Sequence, residues 1–296
     1  MSAATSRSDL PGPEQGATGD ADLQRAAGAA RVVLRRGPAG PALAVLEQKS
    51  PCRALLPRVE GRSAAEVVFV NTAGGVAGGD RLAWGFEASG AITARATSQA
   101  AEKLYRALDR PALIETRLSA SDGALLEWLP QETIAFDGAR LARATTLELS
   151  GGARATALEW LLLGRAGHGE TLCRGALRDV WRVRRDGRLL WADNLRLEGP
   201  VAALAARRAL LGGAGAVATL IHVAESGLEP LVEALRERLY GFAGVTAGVG
   251  ALPGLLLCRL LAREAAALRA AVVEALAVLR GLVPGAGPGL PRVWSS

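Results

Sequence analysis

The sequence predicts a mainly β protein that ends in two α-helices, and three observations support this. Short runs of alternating apolar residues recur between about Arg31 and Leu197. Glycine-containing turns, often Asp-Gly, separate these runs, as is typical of a protein built from many short strands. The C-terminal third instead carries apolar residues at helical spacing. Because the strand-like runs do not alternate with long helical segments, we do not expect βαβ units.

The predicted strands share a short apolar or alternating pattern and lie at 31–35, 66–70, 92–97, 125–129, 145–149, 155–163, 180–183, 189–191 and 255–261. Three Asp-Gly pairs predict tight turns, because this pair readily adopts the positive φ that such turns need. These pairs are Asp122-Gly123, Asp137-Gly138 and Asp186-Gly187. The last pair joins 178–185 to 188–191 in a hairpin. The segment 99–108 fits either a helix or a strand followed by a turn.

Two helices are predicted near the C-terminus. The first spans 227–240, has leucines at helical spacing and is preceded by Ser226, a suitable N-cap. A glycine-rich stretch follows at 241–254. The second helix spans 263–280, where an apolar stripe and many alanines favour helix formation. We expect the apolar faces of these helices and the tail around Trp294 to supply exposed patches for partners.

The chain has 296 residues, enough for one large or two modest domains. Residues 1–24 are polar and rich in Pro, Gly, Ser and Asp, so we expect a disordered tail there. We expect 25–296 to form a single β-rich domain with C-terminal helices. The most apolar long segment, 201–224, is interrupted by Arg207, Arg208 and glycines, which argues against a transmembrane helix.

The formal net charge is +6, and nearly all of the basic residues are arginines spread along the chain. No basic block is interleaved with aromatic residues, so we expect neither nucleic-acid nor membrane-surface binding. The three cysteines are far apart and form no C-x-x-C pair. This pattern is not a disulfide framework and indicates a reducing, cytoplasmic location.

The densest motif is the run Asn71-Thr-Ala-Gly-Gly-Val-Ala-Gly-Gly-Asp80, which follows an apolar strand. Its four glycines allow positive φ and close approach of the backbone to another surface. They are Gly74, Gly75, Gly78 and Gly79. A P-loop has lysine where this run has Asp80, and a carboxylate would repel phosphate. The motif therefore predicts a backbone corner in which Asp80 either caps the turn or faces a ligand.

Metal and catalytic ligands are scarce. His168 and His222 have no partner at metal-ligand spacing, and the sequence offers neither a closed zinc set nor a nucleophile triad. The remaining candidates are paired acids: Glu132 with Asp137, and Glu159 with Glu170. They are open to three interpretations: a general acid and base, weak oxygen ligands for a divalent cation, or salt bridges to Arg140 and Arg165. Separately, Lys103, Tyr105 and Arg106 form either a partner-binding edge or a solvated surface.

Taken in their order along the chain, the motifs resemble those of the family of the urease accessory protein UreD, also called UreH. The matching segments cover most of 30–296 and comprise the glycine run at 71–80, Thr97-Ser-Gln-Ala-Ala-Glu-Lys-Leu-Tyr-Arg106, 129–140, 163–170 and 291–294. The resemblance implies a β-rich helical stack of many short strands with two C-terminal α-helices. It also implies a scaffold in the maturation of urease, a nickel enzyme, and no catalysis by the chain itself.

The resemblance further implies binding to apo-urease on one side and to UreF on the other, with the GTPase UreG recruited through UreF. Nickel is expected to pass through the assembly, and no cofactor is expected to bind stably. Carboxylates and carbonyls hold nickel loosely, whereas thiolate and imidazole sets would retain it. Two alternatives stay open from the residues alone: an enzyme that uses paired carboxylates, and a basic surface-binding module.

Site expectations combine the resemblance with the chemistry of the residues. The residues expected to contact a partner or line a passage are Gly74, Gly75, Gly78, Gly79, Asp80, Lys103, Tyr105, Arg106, Gln131, Glu132, Asp137, Glu159, Arg165 and Glu170. Those expected to hold nickel transiently are Glu132, Asp137 and Glu170.

Overall fold

The structure is a computed structural model that describes residues 25–57, 64–287 and 289–294. The tail expected at 1–24 lies outside the described residues. The first strands in chain order are β1 (Ala27–Gly37), β2 (Gly40–Lys49), β3 (Cys52–Leu55), β4 (Ala64–Asn71), β5 (Arg81–Ser89), β6 (Thr93–Ser98), β7 (Glu102–Leu104), β8 (Ala112–Ser121) and β9 (Leu125–Leu129). They are followed by β10 (Thr133–Ala135), β11 (Arg140–Leu149), β12 (Arg154–Leu163), β13 (Gly175–Arg185), β14 (Arg188–Gly199), β15 (Ala216–Val223), β16 (Val245–Leu252) and β17 (Leu255–Ala262).

The described strands form two sheets. The first has the order β14-β13-β11-β8-β5-β1-β2. The second has the order β16-β17-β15-β12-β9-β6-β4-β3, with the short strands β7 and β10 attached through β12. Sheets facing each other in this way bury their inner faces in a shared core.

Between β4 and β13 the chain coils, because it passes from one sheet to the other with each successive long strand. Each strand therefore runs parallel to the one two steps earlier, as β5, β8, β11 and β13 do in the first sheet. Parallel neighbours need a long crossover connection, and here the strand in the opposite sheet belongs to that connection. The prediction of a mainly β, coiled stack of strands is confirmed.

Burial differs between the sheets. β15 is buried at every position and β12 at nearly every position, because the first sheet covers one face of the second sheet and helices cover the other. β8 and β11 alternate between buried and more exposed positions, because one face of the first sheet is turned outward.

Three helices lie in the described residues: α1 (Val201–Ala206), α2 (Leu228–Leu239) and α3 (Ala265–Leu282). The two helices predicted near the C-terminus are confirmed as α2 and α3, and α1 is a short addition. Ser226 is not the N-cap that was predicted for α2. That position is taken by Gly227, whose φ of 77° lies in the left-handed region that glycine adopts without strain.

Two other expectations are refined. The segment 99–108 is not a helix, since β7 lies within it and is followed by a turn. The glycine-rich stretch 241–254 contains β16, which sequence reasoning missed. β16 is an edge strand with mostly exposed side chains, so it lacks a clear apolar alternation. Gly248 and Gly250 have open space where a Cβ would lie.

All three predicted Asp-Gly turns are present, and Asp137-Gly138 is closed by a hydrogen bond from Ala139 N–H to Phe136 O at 3.0 Å. Asp122-Gly123 and Asp186-Gly187 adopt positive φ at both residues, and the second pair closes the antiparallel β13–β14 hairpin. The corners leading from the first sheet to the second stack on one another. Ala91 N–H donates to Asp122 O at 2.7 Å, and Gly123 N–H donates to Gly151 O at 2.9 Å.

The segment 201–224 contains α1 and the buried strand β15. In the part of the chain that the structure describes, no helix is both long enough and apolar enough to cross a membrane.

Candidate functional site

Four connections carry the chain from the second sheet back to the first, and they stack along one edge of the molecule. We call this the connection edge and define it as residues 72–80, 99–111, 130–139 and 164–174. Backbone hydrogen bonds join successive layers: Val76 N–H donates to Lys103 O, Phe136 N–H to Leu104 O, and Gly138 N–H to Arg174 O. The four motif segments that the sequence singled out in this part of the chain therefore meet at one place.

The glycine run allows this stacking because two of its glycines lie against the next layer. A Cβ at Gly75 would lie 2.4 Å from the ring of Tyr105 and 2.9 Å from Lys103 O. A Cβ at Gly78 would lie 2.5 Å from the Cβ of Ala107. These separations are far below van der Waals contact, so only glycine fits without movement of the neighbouring connection.

Asp80 closes the glycine corner. Its side chain is buried, and its two carboxylate oxygens accept hydrogen bonds from Ala77 N–H at 2.7 Å and Ala26 N–H at 2.9 Å. Of the two roles that the sequence left open for Asp80, these contacts correspond to capping. The carboxylate ties the corner to the start of β1.

Lys103, Tyr105 and Arg106 lie in the second layer of the connection edge and are all exposed. The hydroxyl of Tyr105 donates to Gly74 O at 2.9 Å, and its ring meets Phe136 edge-on at 5.2 Å. Tyr105 thus braces the glycine corner while presenting a partly exposed ring, and the neighbouring cations leave this layer basic.

The third and fourth layers are held together by Asp137 and by an ion pair. The Asp137 carboxylate accepts hydrogen bonds from the backbone N–H groups of Cys173 and Arg174 at 2.8 and 3.0 Å. Arg165 Nε donates to Glu170 at 2.6 Å, and its guanidinium lies 4.1 Å from the centre of the Phe136 ring. The Arg165 hydrogen bond lowers the pKa of Glu170.

Gln131 and Glu132 contact the C-terminal helix. Arg269 on α3 donates to Gln131 Oε1 at 2.9 Å and to Glu132 Oε2 at 3.1 Å. The same guanidinium reaches the backbone oxygen of Trp294, which stacks on Trp160 with ring centres 5.7 Å apart. Trp294 is buried, so the expectation that it supplies an exposed apolar patch is wrong: its apolar ring gains more from the packing on Trp160 than from contact with water.

A cavity of about 220 Å³ begins at the connection edge and extends between the sheets. At the edge, its walls come from the glycine corner and from the second and third connections. At its inner end, it reaches Trp128, Arg143 and Glu159. Of the expected passage-lining residues, its wall contains Gly74, Gly75, Lys103, Gln131 and Glu159.

At the inner end, a guanidinium is held between two carboxylates. Arg143 Nη1 lies 2.6 Å from Glu159 Oε2, while its Nε and Nη2 contact the two oxygens of Asp179 at 3.0 and 2.6 Å. All three side chains are less than 10% exposed. The indole N–H of Trp128 donates to the other oxygen of Glu159 at 3.1 Å. Burial raises the pKa of Glu159, although the positive charge of Arg143 acts to lower it.

A second cavity, of about 120 Å³, also borders this cluster. Its wall includes Glu159, Asp179 and the part-exposed ion pair between Asp193 and Arg259, whose atoms are 2.6 Å apart. Leu210, which is 47% exposed, also lines it. Glu159 therefore borders both cavities, whereas Arg143 borders the first and Asp179 borders the second.

Glu102 is a further carboxylate on the wall of the first cavity, near the glycine corner. Asn71 Nδ2 donates to both of its oxygens, at 3.1 and 3.2 Å. Burial raises the pKa of Glu102 to about 7, although the Asn71 hydrogen bond favours the charged form. This carboxyl group changes charge close to neutral pH.

Sulfur and imidazole ligands are remote from these cavities or buried alone. Cys52, Cys173 and Cys258 are unpaired, and only Cys173 is exposed. His222 is buried in β15, where its Nδ1 lies 2.9 Å from Thr156 Oγ1, and burial lowers its pKa to about 4. Within the described residues, no three His, Cys, Asp or Glu side chains are grouped closely enough to hold a metal ion.

Sequence reasoning missed Arg143, Asp179 and Glu102 as residues of the site. A signal for the first two was present. Arg143 is two residues from the buried Leu141 on β11, so both side chains lie on the same face of that strand. Asp179 is likewise two residues from the buried Trp181 on β13. A charged residue in register with the apolar face of a strand must find a buried partner, because an unpaired buried charge is very costly.

Comparison with known proteins gives a consistent result. A family model described as "UreD urease accessory protein" matches residues 26–295. A "Urease accessory protein UreD" of Methylobacterium sp. is 46% identical over 254 residues, covering 85% of this chain and 88% of the relative. Relatives with the same name from Sinorhizobium medicae and Xanthobacter autotrophicus are 40% and 42% identical, covering 92% and 100% of this chain and 96% and 99% of the relatives.

Proposed function

Because the chain belongs to the UreD family of urease accessory proteins, we propose that it is a scaffold that helps pass nickel into apo-urease. Family membership implies a role in urease maturation as an accessory protein and not as an enzyme. In this proposal, nickel enters the first cavity, passes the buried cluster around Glu159 and leaves through the second cavity.

One observation carries this proposal: two cavities of about 220 and 120 Å³ share Glu159 as a wall residue. Together they line a route between the sheets, from the connection edge to the part-exposed pair of Asp193 and Arg259. We propose that movement of side chains at the cluster opens the route, because side chains change rotamer on much shorter timescales than sheets rearrange.

The ligands along this route suit a cargo that must be released. Its walls include four carboxylates and one amide: Glu102, Gln131 and Glu159 in the first cavity, and Glu159, Asp179 and Asp193 in the second. Nickel binds imidazole and thiolate far more firmly than isolated oxygens, so an oxygen-lined route allows exchange between successive sites. We propose Glu132, Asp137 and Glu170, which lie on the connection edge, as further weak oxygen ligands near the entrance.

The partners follow from the same proposal. The connection edge presents Lys103, Tyr105 and Arg106 around the first cavity, and we propose it as one docking surface. Apo-urease and UreF bind at opposite ends of the route, and UreG joins through UreF. Three unpaired cysteines suit a reducing compartment, so we propose that this assembly works in the cytoplasm.

The alternative of paired-carboxylate catalysis has less support. Asp137 caps backbone N–H groups, Glu170 is bound to Arg165, and Glu159 is held by a buried guanidinium. A general acid or base needs a proton that it can exchange with substrate, whereas these carboxylates hold guanidinium or N–H partners, which compete with a proton and which a metal ion could displace.

A blocking variant tests the passage, and a pull-down of the same variant checks that partner binding at the connection edge, where Ala101 lies, is retained. Ala101 lines the first cavity, so Ala101→Trp fills space there without altering charge. Ala277, on the exposed side of α3, provides the matched control Ala277→Trp. Each variant is tagged and co-expressed with the urease subunits, UreF and UreG, and the eluted proteins and the nickel content of urease are measured.

We expect both variants to retain urease and UreF in the pull-down, and only Ala101→Trp to lower nickel content severalfold. Normal nickel loading with Ala101→Trp would contradict the proposed route. Failure of the unmodified chain to capture urease or UreF would contradict the scaffold role itself.

A further inference from the structure

We propose that Glu159 and Asp179 form a divalent-cation site that the guanidinium of Arg143 occupies at rest. Arg143 then acts as the gate between the two cavities, because a passing cation must take its place. This inference rests on the proposed nickel route and adds a specific site and a gating residue to it.

The geometry of the cluster is that of an occupied cation site. Arg143 bridges the two carboxylates, with one nitrogen 2.6 Å from Glu159 and two nitrogens 3.0 and 2.6 Å from Asp179. A further contact joins Arg143 Nη1 to Thr133 Oγ1 at 3.2 Å. The guanidinium is therefore surrounded by oxygens contributed by three different strands, β10, β12 and β13.

The hydroxyl of Thr145 adds a further buried oxygen beside the cluster. Thr145 lies two residues after Arg143 on β11, so both side chains project from the same face of the strand. Thr145 is 1% exposed, and its hydroxyl interacts with Glu159, which lowers the pKa of that carboxyl. A metal ion held at Glu159 would therefore find this oxygen nearby as a further neutral ligand.

The charges of the cluster favour a direct exchange of the Arg143 guanidinium for a metal ion. Two buried, ionised carboxylates without a cation would be strongly unfavourable, so they stay charged only while the guanidinium or a metal ion is present and otherwise take up protons. Arg143 borders the first cavity, which offers space for the displaced side chain. Glu159 borders both cavities and can hold an arriving cation while Asp179, which borders the second, receives it.

The test removes the resident cation and asks whether Ni²⁺ replaces it. Arg143→Gln leaves the two carboxylates in place, and binding of Ni²⁺ to the purified full chain is measured by equilibrium dialysis. We expect Arg143→Gln to bind one more Ni²⁺ than the unmodified chain, with affinity at least about tenfold tighter than any binding by the unmodified chain. The double variant Arg143→Gln with Asp179→Asn should lose this gain, because it lacks one of the two carboxylates.

A matched control uses Arg95, another buried arginine that is paired with carboxylates. Arg95 contacts Glu127 at 2.8 Å and Glu66 at 3.8 Å, and it borders neither cavity. Glu127 also keeps Arg280 as a partner, at 3.2 Å. We expect Arg95→Gln to gain no Ni²⁺. An equal gain in Arg95→Gln would mean that any orphaned buried carboxylate binds nickel, and the gate inference would be overturned.

Loss of a buried charge can unfold the chain, and the proposal predicts what happens then. Ni²⁺ should restore the melting temperature of Arg143→Gln, and that of Arg143→Lys to a smaller degree, but not that of the double variant. Variants that neither bind Ni²⁺ nor are stabilised by it overturn the inference. That result leaves the route intact if Ala101→Trp still blocks nickel loading, so failure of the gate and failure of the route are distinguishable.

Discussion

At the scale of single residues, several charged side chains hold connections and cavity walls together. Asp80 caps the glycine corner, Asp137 joins the third and fourth connections, and Arg143 binds Glu159 on the wall of the first cavity. Each of these groups has defined partners, so each makes a specific prediction about stability or titration.

Glu102 predicts a pH-dependent difference between the unmodified chain and Glu102→Gln. The pKa of Glu102 is about 7 in the folded protein, against 4.5 for an unperturbed carboxyl. Between these values the folded state holds a proton that the unfolded state has released, so stability falls as pH rises from about 4.5 to about 7.

Glutamine removes this penalty. We expect Glu102→Gln to be more stable than the unmodified chain by roughly 2–3 kcal/mol at pH 8, with the difference vanishing below about pH 4.5. Urea unfolding across this pH range measures it. A difference that does not change with pH would show that Glu102 does not titrate differently on folding.

Asp80→Ala should destabilise the protein by about 2–3 kcal/mol, because two backbone N–H groups lose a charged acceptor. Asp80→Asn should have an intermediate effect, since its amide has one acceptor oxygen. Asp109, 77% exposed, provides the control Asp109→Ala, which should change stability by less than about 0.5 kcal/mol. Equal losses for Asp80→Ala and Asp109→Ala in thermal unfolding would contradict the capping role.

At the scale of elements, the C-terminal segment and α3 pack together against the second sheet. The Trp294 ring stacks on Trp160, and its indole N–H donates to Thr97 Oγ1 at 3.1 Å. Arg269 of α3 contacts the same segment through the Trp294 backbone oxygen. The last residues of the described chain therefore complete a core that the strands alone would leave open.

Trp294→Ala should lower the free energy of unfolding by about 3–5 kcal/mol, because it removes a large buried ring and its hydrogen bond. Tyr240, 55% exposed, supplies the control Tyr240→Ala, with an expected effect within about 0.5 kcal/mol. Chemical denaturation followed by far-UV circular dichroism compares them. A loss for Trp294→Ala as small as the control would mean that the tail is not docked in solution.

At the scale of the whole molecule, the second sheet belongs to two cores. One core lies between the sheets and contains Leu118; the other lies between the second sheet and the helices and contains Leu276. Because both cores share β9, β12 and β15, we expect the described parts of the chain to unfold together as one domain.

Leu118→Ala and Leu276→Ala should each lower stability by about 2–5 kcal/mol and shift the same transition. Tryptophan fluorescence and helical circular dichroism should therefore give coincident unfolding curves for both variants. The exposed Leu282 gives the control Leu282→Ala, with little expected change. Separate transitions for the two variants would show two independent folding units.

Much of this organisation was predictable from local patterns. Alternating strands, the Asp186-Gly187 hairpin, the two longer helices and the glycine corner all follow from side-chain periodicity and backbone freedom, which neighbours along the chain determine. The family was also readable, because the motifs at 71–80, 97–106, 129–140 and 163–170 keep their order.

Other features depended on contacts between distant residues. β16 has no periodic pattern of apolar residues, because it is an exposed edge strand. The N-cap of α2 is Gly227, which has a positive φ, and not the predicted Ser226. The first-cavity carboxylate Glu102 gave no signal either, because its burial depends on the packing of separate connections.

The sequence by itself therefore determined the fold class, the two longer helices, the place of the glycine corner and the family, since each depends on periodicity, turn residues or ordered motifs. Only the tertiary structure decided that the four connections stack at one edge and that Arg143 lies between Glu159 and Asp179. The physical reason is that the coiled path of the chain makes neighbours of strands that are far apart in sequence. Only when those strands have paired does a charged side chain meet its partner, become buried and border a cavity.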